Sequence, residues 1–301
     1  MADKSESPWA WKRPWKWDDA AAKQAAQKGF APSRAAERAY ERQLKSVAAQ
    51  IQSTLKTSPP EQAEALLRKY AEIIEPWARQ SAVNMVQAAQ KKNLQTWKTA
   101  ANRMGLDMRV LLNSPGIGEA VQARIAENIR LIKTIVTGSA DKVAEITQEA
   151  LVSGSRAEDI ARRIQAVGEV SEHRARVIAH TEVSKAGTAL TRARAADVGS
   201  TGYIWRTARD GDTRPSHRAM EGVFVKWDEP PVLDNMRGHA GEFPNCRCYP
   251  EPVIPRNDDG AGGVFKPPLP TRGSEHNAGG KVALSQWEKT TMPALETGAT
   301  A

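Results

Sequence analysis

Cysteine is almost missing from this chain: two residues in 301, three positions apart counted inclusively. So long a chain with one close pair cannot rest on a disulfide framework, which excludes a small secreted stapled domain. Long apolar runs are missing as well. No stretch approaches the ~18 uninterrupted apolar residues that a membrane-crossing helix needs, so no membrane span is expected. The opening MADKSESPWAWKRPWKW has no apolar core followed by a small-residue cleavage site and does not read as a signal peptide. No internal repeat is visible. Tyr and Phe are sparse at four each, against nine Trp.

What is present is charge and alanine. Lys plus Arg number 43 and Asp plus Glu 35, for a net +8. With 40% hydrophobic residues and a mean hydropathy of -0.55, the composition suits a soluble, Ala-rich helical protein with a thin core. The excess positive charge permits a nucleic-acid partner without requiring one, since charge also aids solubility.

Residues 1–18 stand apart. Trp9, Trp11, Trp15 and Trp17 alternate with Lys12, Arg13 and Lys16, and Pro8 and Pro14 oppose a regular helix. This arm reads as an anchor for its indoles, as a partner-binding peptide, or as a contact for nucleic acid or a membrane surface. From Ala20 to about Val198 the pattern is helical. Ser33 caps a helix to about Lys56, closed by Ser58-Pro59-Pro60. A second runs from Glu61 to about Arg103, kinked or split by Pro76 near Glu75. Gly116 and Gly118 mark a loop, followed by helix to Thr137. Val143, Ile146, Ala150 and Leu151 then form one helical face ending at Gly154. Ser155 and Glu158 read as a capping box for a helix closed by Gly168. The last helix covers about Glu172 to Val198. At Gly199 the texture changes: Tyr203 to Thr207, Val223 to Trp227 and Cys246 to Val253 read as short strands. Beyond Pro255 the chain is polar and rich in Gly and Pro, as in a disordered tail.

The chemistry-bearing residues crowd into Trp205 to Asp210, Arg214, His217, Gly222, Gly241 and Pro244-Asn245-Cys246-Arg247-Cys248. On a strand, Cys-x-Cys puts both sulfurs on one face. Two thiolates and an imidazole are donors that zinc prefers. His217 lies 29 positions before Cys246, His239 is a possible fourth ligand, and Asp210 and Asp212 are others. A buried structural Cys pair and a catalytic thiol are the alternatives. A metal-dependent nuclease built on Asp210, Asp212, His217 and His239 is the enzyme reading. Against it, an Asp pair in a Gly turn commonly serves backbone hydrogen bonds. The expectation is therefore non-enzymatic.

Arg156 to Arg218 holds 12 Lys/Arg and 8 Asp/Glu, or +4. Arg174, Arg176, Arg192 and Arg194 on its helix are candidate phosphate or partner contacts, and a stand-alone DNA-binding protein working through this segment is the alternative function, although interleaved acids usually make such a face simply solvated. Glu182, after the apolar Val177-Ile178-Ala179, is expected to be partly buried and paired with a nearby arginine.

Taken together, Arg176-Val-Ile-Ala-His-Thr-Glu-Val-Ser184, Trp205-Arg-Thr-Ala-Arg-Asp210, Arg214-Pro-Ser-His217, Gly222 and Pro244-Asn-Cys-Arg-Cys248 resemble the bacteriophage Mu F-like head morphogenesis family. These are minor head (minor capsid) proteins of tailed phages, with the related protein of SPP1-like phages among them. The resemblance covers roughly residues 140–255. It carries over to Thr181, Glu182, Trp205, Asp210, Arg214, His217, Gly222, Asn245, Cys246, Arg247 and Cys248, in structural or interaction roles. It implies a non-enzymatic virion component of the head interior or portal vertex, assembled in the host cytoplasm. Its implied partners are the portal protein, the packaged DNA, and a major capsid or scaffolding protein. One departure stands out: many such proteins have His directly before Pro-Asn-Cys-Arg-Cys, where this chain has Phe243. If that His is a ligand elsewhere, its role here passes to His239 or vanishes. The expected architecture is mainly α. An arm (1–18) and a helical region (19–138) precede a domain of helices and a small α+β module (139–255), and a tail (256–301) follows. Structural zinc is the one cofactor expected.

Overall fold

A computed structural model describes residues 29–104, 114–153 and 156–254. The Trp arm, the tail, Gly154 and Ser155 lie outside them. Helix α1 (Arg34–Thr57) starts where expected, because the Ser33 side chain accepts from the Ala36 amide. Its buried residues, among them Tyr40, Leu44, Val47, Ile51 and Leu55, recur at helical spacing. Helix α2 (Pro60–Ile73) opens on proline, which needs no amide partner in a first turn. Pro76 has no N–H for the Glu72 carbonyl, and the long helix breaks there as expected. Ile74 separates α2 from α3 (Glu75–Met104).

Two expectations about glycine fail. Helix α4 (Gly116–Ser153) begins at Gly116, includes Gly118, and runs through Thr137 without interruption. Its Val143, Ile146 and Ala150 are buried, whereas Leu151 is exposed and not part of that face. Helix α5 (Ala157–Asp197) is a single rod of 41 residues with Arg156 at its N-cap. Gly168 sits inside it. A Cβ there would lie 3.0 Å from Gln52 Cγ and 3.3 Å from Gln52 Cα, so this glycine lets α5 approach α1 closely. The true stop is Gly199, at φ +72°. Its amide reaches the Ala196 carbonyl, and the Ser200 amide reaches that of Ala195, a paired closure suited to glycine. Helix α5 packs on α1 and α4, and α2 and α3 pack on α4. One apolar core unites these five helices.

Past Gly199 lies a small sheet in the order β2-β1-β5. It consists of β1 (Gly202–Arg206), β2 (Phe224–Lys226) and β5 (Tyr249–Val253). Both pairings are antiparallel, with Tyr203 opposite Val225 and Trp205 opposite Pro250. Between β1 and β2 runs a short helix, α6 (Pro215–Ala219). Strands β3 (Val232–Leu233) and β4 (Met236–Arg237) form a hairpin. Asp234 and Asn235 at its tip have φ values of 51° and 61°, conformations that Asp and Asn tolerate better than most residues. A second core joins this module to the helices: Trp97 and Ala101 of α3 and Ala195 of α5 pack with Tyr203, Trp205, Trp227 and Phe243. The mainly α architecture with a small α+β module is therefore as expected. Among the described residues, no helix is long and apolar enough to cross a membrane.

Candidate metal centre

The cysteines are not on a strand. They precede β5, in a loop where the Cys246 amide bonds the Phe243 carbonyl at 3.0 Å and Asn245 has φ 55°. The turn, rather than strand alternation, brings the two sulfurs together. The loop is fastened from two sides. The Asn245 amide donates to Thr181 Oγ1 of α5 at 3.0 Å, and Arg214 donates to the Pro244 carbonyl at 2.8 Å. Nearby, Thr188 Oγ1 donates to the Ala240 carbonyl at 2.6 Å.

Helix α6 supplies the third group. His217 Nδ1 lies 3.3 Å from Cys246 Sγ and 3.6 Å from Cys248 Sγ. All three side chains are buried, and their donor atoms lie within 4.8 Å of one another. Both cysteines are free thiols. A hydrogen bond from the Cys248 thiol pulls Cys246 down to about 5; burial opposes that shift and His217 reinforces it. The same pairing, together with burial, pushes the Cys248 thiol up. The His217 ring is edge-on to Trp205 at 5.6 Å and packs against Phe243 at 4.8 Å between centroids. His217 Nε2 is buried without a hydrogen-bond partner, 3.5 Å from Asp234 Oδ2.

Other sequence-predicted residues serve elsewhere. His239 is not in the trio: its Nδ1 meets the Tyr203 hydroxyl at 3.2 Å, its ring packs on Trp227, and the Trp227 carbonyl accepts from it. The Phe243 departure is thus not compensated by His239. Asp210 and Asp212 both pair with Arg247, at 2.9 and 3.0 Å. They brace the β1–α6 connection against the Cys loop and do not gather with a histidine, so the nuclease constellation is not assembled. Gly222, at φ 82°, donates its amide to the Trp205 carbonyl. Glu182 is buried, with Lys185 Nζ at 3.2 Å, Asn128 Nδ2 at 3.2 Å and Arg124 at 3.9 Å. Asn128 also accepts from the Tyr40 hydroxyl. Glu182 thereby ties α5 to α4 and α1, and a lysine and an amide hold it more closely than the expected arginine.

The basic face is corrected in one place. Arg194 is buried and donates to Asn93 Oδ1, so it cannot face DNA. Arg174 donates to Thr134 at 3.0 Å and Arg176 lies 3.6 Å from Glu41; both, like Arg192, are on the surface. Much of the +4 segment is internally matched, with Arg163 paired to Glu149 and Arg206 to Glu251.

Sequence reasoning missed Asp234 and Thr188. Asp234 carried a legible signal, an Asp-Asn pair between short apolar runs. Thr188, in an Ala-rich helix, carried none.

The family described as Phage Mu protein F like protein matches residues 141–250. That span takes in the end of α4, all of α5, and the module through the first residues of β5. The chain is also similar to an uncharacterized protein of Haemophilus influenzae, at 39% identity over 158 residues. The match covers 52% of this chain and 35% of that relative. No solved structure matches. Residues 141–250, which hold the trio and every loop that positions it, are the part of this chain that matches the Phage Mu protein F like family.

Proposed function

We propose that this protein acts in phage head morphogenesis as a minor head protein, associating with the portal and meeting the packaged DNA inside the virion. The observation that carries the reading is the family match over residues 141–250, falling on a module whose motif residues hold one another. Thr181 grips the Cys loop, Arg247 grips Asp210, and Glu182 knits the helices. Side chains that fix shape in this way support a structural role. Within it the His217, Cys246 and Cys248 trio is suited to a structural zinc. DNA contact is the lesser part of the reading, because much of the basic helix is paired with carboxylates on this same chain.

The test is co-purification from assembling heads. The expected result is a few copies per head that remain with the portal when the shell is dissociated. Heads that form normally without the protein, and a portal that does not retain it, would overturn the reading.

A further inference from the structure

We propose that His217, Cys246 and Cys248 hold a soft divalent cation of the zinc type, with Asp234 orienting the histidine and the rings of Trp205 and Phe243 keeping the site dry. This deepens the structural role given to the trio above and rests on that role. It does not depend on which head component the protein meets.

The spacing fits such an ion. Zinc–sulfur bonds of about 2.3 Å and zinc–nitrogen bonds of about 2.0 Å at tetrahedral angles separate N from S by roughly 3.5 Å. The Nδ1–Sγ distances are 3.3 and 3.6 Å. Hydrogen bonding alone explains this convergence poorly. A single imidazole nitrogen offers either one proton or one lone pair, yet two sulfurs crowd the same nitrogen. A cation between them would satisfy all three donors together.

The far side of the ring is a second, independent observation. His217 Nε2 is buried without a hydrogen-bond partner, and the nearest carboxylate oxygen, Asp234 Oδ2, is 3.5 Å away. With Nδ1 given to a metal, the ring proton must sit on Nε2, facing that carboxylate. Metal-bound histidines commonly present their second nitrogen to a carboxylate in this way. Asp234 is itself held by the Ser216 hydroxyl at 2.8 Å. The aromatic rings against His217 supply the apolar surround that strengthens thiolate–metal attraction. Softness of the donors selects zinc-like ions over magnesium or calcium, which take oxygen.

The decisive experiment is a Co(II) titration of the full chain, purified under reducing conditions and stripped with a chelator. Binding of one Co(II) per chain is expected, with a sulfur-to-cobalt charge-transfer band in the near ultraviolet, intense visible bands, and displacement by Zn(II). Cys246→Ser and Cys248→Ser should each remove at least about half of the charge-transfer intensity, since each deletes one of the two thiolate ligands. Asp234→Asn changes a part-exposed loop residue and should fold; it should keep the stoichiometry and weaken affinity roughly 10- to 100-fold. A folded wild-type chain that shows no charge-transfer band under excess Co(II) would overturn the site. Unchanged affinity in Asp234→Asn would overturn its orienting role. A chain that binds cobalt but does not travel with heads defeats the assembly reading alone; one that travels with heads and binds no cobalt defeats this one alone.

Discussion

The Oγ1 of Thr181, inside the 41-residue helix α5, accepts the backbone N–H of Asn245 at 3.0 Å. This bond fixes the loop carrying both cysteines to the longest helix among the described residues. Thr181→Val keeps the shape and removes the acceptor, leaving a part-buried amide unpaired. It is expected to cost about 1–3 kcal/mol, read from urea midpoints, with faster amide exchange at residues 245–248. Thr181→Ser should restore most of the stability. Equal loss in both variants would mean that the methyl group, not the hydrogen bond, matters.

Gly241 and Gly187 should respond oppositely to alanine. At Gly241, φ is +90°, and a Cβ would stand 2.7 Å from Thr188 Oγ1 and 2.9 Å from the Cys248 carbonyl. Gly241→Ala therefore combines backbone strain with a clash against the Cys loop, and a loss of roughly 2 kcal/mol or more is expected. At Gly187, inside α5, an added Cβ would meet nothing within 4 Å. Gly187→Ala should stabilise by about 0.5–1 kcal/mol through helix propensity. Thermal unfolding of the two variants side by side checks both signs.

Burial depresses the pKa of His239, the Glu242 carboxylate opposes that shift, and Arg192 adds to it. The unfolded chain therefore takes up a proton more readily than the folded one. Stability from this group is present above the ordinary histidine range, near pH 6.5, and declines as pH falls below it. The slope should approach but not exceed about 1.4 kcal/mol per pH unit. Urea unfolding between pH 7.5 and 5 should show a smaller decline in His239→Gln than in the wild type. Parallel curves would show that His239 is not the group responsible.

Phe243 packs against the His217 ring at 4.8 Å, from the same turn that brings Cys246 into place. Phe243→His would set an imidazole beside the three donors, and zinc favours four protein ligands in structural sites. Cobalt affinity, measured by competition with a chromophoric chelator, should rise tenfold or more. No change would mean that the side chain at 243 is directed past the donors.

Glu182 is buried, while its partners Lys185 and Arg124 keep partial access to solvent. Glu182→Leu removes the shared acceptor of Asn128 and Lys185. It should destabilise the helical core by about 1–3 kcal/mol, seen as a lower midpoint by far-ultraviolet dichroism. A neutral result would mean that packing by leucine offsets the lost pairing.

Much of this protein was legible in the residues themselves. Ser33, Pro60 and Pro76 act through their own backbone and side-chain chemistry, so local sequence determined where α1, α2 and α3 start. The change at Gly199 and the apolar strand segments were equally local. The motif pieces that resemble the Mu F-like family pointed to a segment nearly coincident with the one that the family matches. Glycine was misread where its meaning depends on a neighbour distant in sequence. Gly168 looks like a stop until Gln52 of α1 is seen against it, whereas Gly199 stops a helix through its own positive φ.

The same division runs through the site. Sequence alone named His217, Cys246 and Cys248, because their side chains carry the donor chemistry wherever they lie. Only the tertiary structure decided that they converge, that a turn rather than a strand aims the sulfurs, and that His239 goes to Tyr203 instead. It also decided that Arg194 is interior while Arg192 is exposed. A residue's donor atoms and charge are intrinsic to it. Its partners depend on how segments far apart in the chain are packed together, and no local pattern records that.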